Sequence, residues 1–116
     1  MVSEDCLDTI FRKARTHNAF SGEVTDAQLR QLWDLVKLGP TTGNSQPARI
    51  VFVRSREAKE RLKPHLSPGN QDKVMAAPVT AIIAYDTMFY ELLPRTFPHN
   101  PTMKNAYTGE EKKVHT

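Results

Sequence analysis

Three short polar stretches hold the side chains best placed to do chemistry. In the first, Arg15-Thr16-His17-Asn18, a guanidinium stands beside a hydroxyl, an imidazole and an amide. The planar guanidinium fork suits phosphate oxygens, and the neutral donors suit a polyol or phosphate. The plain alternative is a helix C-terminus, where Arg and His meet the negative end of the dipole. The second stretch, GPTTGNSQPAR from 39 to 49, sets Thr41, Thr42, Asn44, Ser45 and Gln46 between Pro40 and Pro47. A stiff loop with convergent polar groups binds a ligand at low ordering cost. The same residues could instead satisfy their own backbone in a turn. In the third, GNQDKVMAAP, Asn70 reads as a helix N-cap with Lys73 one turn in. A cation near a helix N-terminus opposes the dipole slightly, which hints at another partner for Lys73, such as an anion.

What is missing narrows the chemistry. The 116 residues include only five glycines, and neither G-x-G-x-x-G nor G-x-x-x-x-G-K-[ST] occurs, which argues against a dinucleotide fold or a P-loop. The four histidines are not paired at metal-ligand spacing, so no metal site is expected. There is no G-x-S-x-G elbow. The single cysteine, Cys6, permits no internal disulfide and reads as a buried or half-buried small residue. His17, His65 and His99 read as surface or satisfied histidines, and Trp33 as core. No residue presents itself as catalytic acid, base or nucleophile.

The elements that must position these groups follow from periodicity. Leu7, Ile10, Phe11 and Ala14 predict an amphipathic helix over 4–14, capped by Ser3. Thr25 and Gln28 form a capping-box pattern ahead of Leu29, Leu32, Trp33 and Val36, and Gly39-Pro40 should end that helix with Gly39 left-handed. Ile50–Val53 and Val79–Tyr85 read as buried strands. Between them Ser55 caps a helix that Pro64 should end or kink, and a shorter helix runs from Asn70 to Ala76. One or two helical turns are expected over Met88–Leu93. Two buried strands make a marginal sheet and call for neighbours, so the sheet reads as unfinished.

Net charge is +3 and the basic residues are scattered, apart from Lys112-Lys113, so no nucleic-acid stripe is visible. No apolar run approaches the roughly 20 residues of a membrane span. The acidic start, MVSEDCLDTI, lacks the pattern of a signal peptide, and a cytoplasmic protein is expected.

Four segments, ARTHNAF, LVKLGPTTGNSQPARIVFVRS, AKERLKPHLSPGNQDKVMAAPVTAIIAYD and FYELLPRTFPH, together resemble the nitroreductase family of FMN-dependent oxidoreductases. Within it they are most similar to the branch that contains malonic semialdehyde reductase. The resemblance covers residues 6 to 99 and matches the first half of such chains. It implies an α+β nitroreductase-like fold, with helices around a mixed, mainly antiparallel sheet, incomplete here. It divides the chain into 1–99, the N-terminal part of a nitroreductase-like domain, and 100–116, a divergent and poorly ordered tail.

The resemblance also implies roles. Arg15, Thr16 and Asn18, with His17 among them, would bind the phosphate and ribityl chain of FMN. Pro40, Thr41, Thr42 and Asn44 would reach FMN across a homodimer interface, and Asn70 and Lys73 would lie against the ring. NADH or NADPH would be the reductant and a small organic molecule (semialdehyde, nitro compound or quinone) the acceptor. The alternative is an inactive remnant that binds flavin or phosphate weakly, or pairs with a full-length paralogue. Neither nucleic acid nor membrane is an expected partner.

Overall fold

A computed structural model describes residues 2–108. The chain divides into two compact units: Met1–Glu23 with Arg54–Pro78, and Val24–Val53 with Val79–Thr116.

The first unit is helical. Ser3 caps α1, Glu4–Leu7, by accepting from the Cys6 amide. The chain then widens into a π turn, Asp8–Arg12, closed by the Lys13 amide on the Asp8 carbonyl. The single amphipathic helix expected over 4–14 is therefore two short pieces. Their apolar side is open, with Ile10 59% and Phe11 70% exposed. Cys6, expected to be buried or half-buried, is exposed. Ion pairs at the surface add to the cap and the backbone bonds: Arg12 pairs with Glu4 at 2.7 Å and with Asp8 at 3.0 Å, and Lys13 pairs with Asp8 at 2.5 Å.

Helix α3, Arg56–Leu62, starts where Ser55 accepts from the Ala58 amide. Pro64 then tightens the chain into a 3₁₀ turn, Lys63–His65, as the missing amide requires. Helix α4 spans Pro68–Ala76 with Ser67 at its N-cap and Pro68 in the first turn. This corrects the expected start at Asn70. Pro68 supplies the helical φ in advance, so the helix begins two residues sooner. Lys73 consequently falls in the last turn, where a cation favours the dipole. The electrostatic hint drawn from its expected position is removed.

The second unit holds the sheet. Helix α2, Asp26–Val36, opens with the full capping box, Thr25 and Gln28 each bonding the other's backbone amide. It ends in tight turns from the Leu38 and Gly39 amides to the Leu35 and Val36 carbonyls. Gly39 is not left-handed; the left-handed residues lie farther on, at Gly43, Asn44 and Gln46. Strand β1, Ala48–Val53, pairs antiparallel with β2, Thr80–Tyr85, from Ala48↔Tyr85 to Val53↔Thr80. Among the described residues the sheet has these two strands only. They are not buried as expected: Val51, Ile83 and Tyr85 are 56%, 69% and 60% exposed.

The core of this unit forms after β2. A 3₁₀ turn, Phe89–Leu92, leads into α5, Leu93–Thr96, as the sequence predicts in outline. Phe89, Tyr90 and Leu93 are buried together, and Phe97, Met103 and Tyr107 pack on them. Phe89 meets Tyr90 and Tyr107 edge to face, with centroids 5.9 and 5.1 Å away. Met103 and Tyr107 belong to a 3₁₀ stretch, Pro101–Tyr107, inside the segment read as a tail. Residues 109–116 of that segment lie outside the described residues.

Candidate functional site

The loop from Pro40 to Arg49 is held from within. Thr41 accepts the Asn44 amide through its carbonyl at 3.0 Å and the Gln46 amide through its hydroxyl at 3.1 Å. The Ser45 amide bonds the Thr42 carbonyl, and Ser45 is buried. Asn44 donates from Nδ2 to the Thr96 carbonyl at 2.8 Å and accepts from Gln46 Nε2 at 2.6 Å. Much of the loop's polarity is thus spent on its own conformation, which includes three left-handed residues, Gly43, Asn44 and Gln46, with φ of 55°, 52° and 47°. Asn tolerates the left-handed region because its short side chain bonds locally. Thr42 keeps an exposed hydroxyl beside this scaffold.

The loop's far end is clamped by a pair that the sequence reading missed. Arg49 donates to Asp86 at 2.8 Å and to the carbonyls of Gln46, Pro47 and Ala48. Asp86 in turn accepts the Met88 amide, while its own amide bonds the Pro47 carbonyl. One ion pair therefore joins the start of β1 to the turn after β2. Its only sequence signal is a charged residue at each end of an apolar strand pair.

Beside the loop lies a cavity of about 110 Å³, lined by Trp33, Val36, Lys37, Thr41, Gln46 and Arg49 among others. Trp33 was expected in the core; it is 37% exposed and forms a wall here. Pockets that enclose a cofactor-sized molecule run to roughly 300 Å³ or more. This cavity alone is too small for one, and it includes Thr41 but not Pro40, Thr42 or Asn44.

In the first unit, Arg15 directs Nη1 onto the Arg12 and Ala14 carbonyls at 3.3 and 2.6 Å, closing the end of the π turn. This realises the helix-end reading for one nitrogen. A guanidinium has five N–H donors, so those on Nη2 and Nε have no hydrogen-bond partner among the described residues. Thr16, His17 and Asn18 are exposed on irregular chain. Asn70 is exposed and Lys73 half-buried on α4. The structure thus gathers Pro40, Thr41, Thr42 and Asn44 in one unit, and Arg15, Thr16, His17, Asn18, Asn70 and Lys73 in the other. Among the described residues no group of three or more His, Cys, Asp or Glu could hold a metal ion, and no helix is long and apolar enough to cross a membrane.

Comparison with known proteins follows the same line. No family model matches the chain. It is 54% identical over 113 residues to a protein of Cupriavidus pinatubonensis provisionally named NADH dehydrogenase/NAD(P)H nitroreductase, covering 97% of this chain and 58% of that one. Proteins of the same provisional name from Ralstonia pickettii and Burkholderia lata are each 51% identical, over 113 and 116 residues. The chain spans 58–59% of the length of these relatives. The matched stretches take in 97–99% of the chain and so run past residue 99. A crystal structure of a provisionally named nitroreductase from Exiguobacterium sibiricum, in complex with FMN, superposes with a TM-score of 0.71. That match is 19% identical and covers 98% of this chain and 53% of the other. The α+β fold is accordingly nitroreductase-like, and the resemblance read from the four segments is borne out.

Proposed function

We propose, for a chain whose sequence matches part of the nitroreductase relatives over nearly its whole length, that it forms the flavin-holding portion of an NAD(P)H-dependent oxidoreductase. The observation that carries this is the 51–54% identity across 97–99% of the chain. FMN is the cofactor in this reading. The donor set fits it: a guanidinium with free nitrogens at Arg15, hydroxyl and amide donors at Thr16 and Asn18, and a half-buried ammonium at Lys73.

Bound FMN would supply the hydride chemistry between NADH or NADPH and a small organic acceptor such as a semialdehyde, nitro compound or quinone. The chain's own residues do the holding. Arg15 grips phosphate through the donors not used on the Arg12 and Ala14 carbonyls, and Thr16, His17 and Asn18 line the neighbouring polyol. Pro40, Thr41, Thr42 and Asn44 present a rigid edge, already ordered by internal hydrogen bonds, so little entropy is lost on binding. Asn70 and Lys73 face the ring, and Lys73 favours negative charge developing on it. No side chain is required as acid, base or nucleophile. A cavity of about 110 Å³ beside Thr41 cannot enclose the cofactor alone, which supports a homodimer with FMN at its interface.

The test is absorbance. The purified chain mixed with FMN and desalted should retain the yellow flavin band, which bleaches on addition of NADH or NADPH. Protein that stays colourless after excess FMN refutes the reading. A second reading is favoured by the open sheet, where Ile83 is 69% exposed: an inactive form that binds flavin weakly or pairs with a longer paralogue. Flavin retention without bleaching would select it.

A further inference from the structure

We propose that the helical unit carries a second site, for a phosphomonoester borne on a ribose-sized sugar, in the cavity lined by α3 and α4. The cavity measures about 400 Å³ and is lined by Arg54, Arg56, Lys59, Asp72, Met75 and Ala76. That falls in the range of small-molecule pockets and is roomier than a lone phosphate requires. Three cations and one carboxylate face it.

Lys59 is the informative residue. It is only 6% exposed, and its Nζ donates to the Ala77 carbonyl. An ammonium has three donors and a full charge. Among the described residues that one neutral carbonyl is the only acceptor it has. Lysine is almost never this buried without a counter-charge, because a desolvated ion is costly until it is paired. An anion entering the cavity supplies that pairing. Arg56, exposed at the start of α3, can close over the same anion with a bidentate grip. Arg54 already has a partner of its own and contributes field rather than free donors.

Asp72 decides the ligand class. A bare anion leaves this carboxylate without a donor. A sugar phosphate supplies one: its phosphate meets Lys59 and Arg56 while a hydroxyl donates to Asp72, and Met75 packs on the sugar carbons. None of the residues assigned to FMN lines this cavity. Helical periodicity sets Asn70 about 160° round α4 from Asp72 and Lys73 about 100° from it, so Asn70 lies opposite this cavity and Lys73 at its flank.

The experiment is calorimetric titration of the full chain with ribose 5-phosphate and with ribose, at low salt. Ribose 5-phosphate should bind and ribose should not. Arg56→Gln, at an exposed position, should weaken binding about tenfold or more by losing a charge-assisted bond. Lys59→Met should abolish it; should that variant not fold, Arg56→Gln still decides. Flavin retention by Arg56→Gln should match the parent, so a failure here is separable from a failure of the flavin reading. Displacement of ribose 5-phosphate by NADP+ but not NAD+ would identify the phosphate as that of the reductant, and lack of displacement a free sugar phosphate; both support the site. Absence of binding at millimolar ribose 5-phosphate, equal binding of ribose, or undiminished affinity in Arg56→Gln would overturn it.

Discussion

Gly43→Ala probes the loop that carries Thr41, Thr42 and Asn44, and its cost can be worked from two separate terms. Gly43 sits at φ +55°, where an alanine is strained whatever the space around it. That conformation costs a non-glycine residue roughly 1–2 kcal/mol. An added Cβ would also press on the end of Met103, inside contact of Cε and 2.7 Å from Sδ, with Leu93 Cδ2 behind at 3.8 Å. The thioether is flexible and can turn aside, but it packs on the Phe89–Leu93 core, so moving it costs roughly another 1–2 kcal/mol. The sum, about 2–4 kcal/mol, is a large share of the roughly 5–15 kcal/mol that holds a domain together. Urea unfolding should show the midpoint falling with an unchanged slope. A double-mutant cycle separates the terms: in a Met103→Ala background, Gly43→Ala should cost only the backbone share, about 1–2 kcal/mol. A Gly43→Ala protein within about 0.5 kcal/mol of the parent would refute the strain argument. A cost unchanged by Met103→Ala would refute the steric one.

Three further outcomes are expected. Leu93 is 1% exposed at the centre of the core, so Leu93→Ala should lose about 2–5 kcal/mol in the same assay; a loss under about 1 kcal/mol would mean that the site collapses and the packing described is wrong. Thr25→Ala removes the capping box of α2 and should cost about 0.5–2 kcal/mol, with reduced far-ultraviolet helicity; an unchanged unfolding curve would show the box contributes nothing. Lys13 first, then Arg12, hold the Asp8 carboxyl below the usual aspartate range. A lowered folded pKa stabilises above the unfolded value and is lost as pH falls through the folded one. The segment Glu4–Arg12 should therefore stay intact through pH 5 and loosen only below about pH 3.9. A carboxyl titration of Asp8 followed by NMR should give a midpoint under that value, raised by Lys13→Met, and a midpoint at or above it sinks the argument.

Legibility in the sequence tracked how local each determinant was. The cap of α2 was readable because Thr25 and Gln28 bond each other across three residues. The caps at Ser3 and Ser55, and the break at Pro64, were readable for the same reason. Apolar periodicity misled where the described residues supply no covering surface: Ile10, Phe11, Leu32 and Trp33 keep helical spacing yet remain open. The start of α4 was misplaced because Asn70 and Ser67 are both good caps, and Pro68 decides between them. Lys59 was invisible as anything but a surface lysine, since its burial depends on Ala77, eighteen residues away. Met103 and Tyr107 gave no signal, because a 3₁₀ stretch has no long period to show. At the candidate site, residue types were readable and their internal spending was not. Nothing in GPTTGNSQPAR states that Asn44 serves Thr96, 52 positions later.

The sheet turns this into a discriminating experiment. Along the ribbon Val51 faces Ile82 on one side, while Ile50 with Ile83 and Ala48 with Tyr85 lie on the other. Both faces are apolar, the pattern of strands meant to be covered on both sides. Two strands also leave two open edges, which proteins ordinarily cover or blunt. An assembled, flavin-holding protein must cover this surface; an isolated chain leaves it wet. Ile83→Lys distinguishes the two. At a site 69% exposed in a solitary chain, the change should cost within about 0.5 kcal/mol and leave the sedimentation coefficient alone. Where the face is packed against a partner copy, the buried ammonium is unpaired, and the variant should sediment as a smaller species and lose FMN at the same protein concentration. We expect the second result. An Ile83→Lys chain that sediments with the parent and retains its flavin would show that this face is open in the working protein and that no partner copy packs on it.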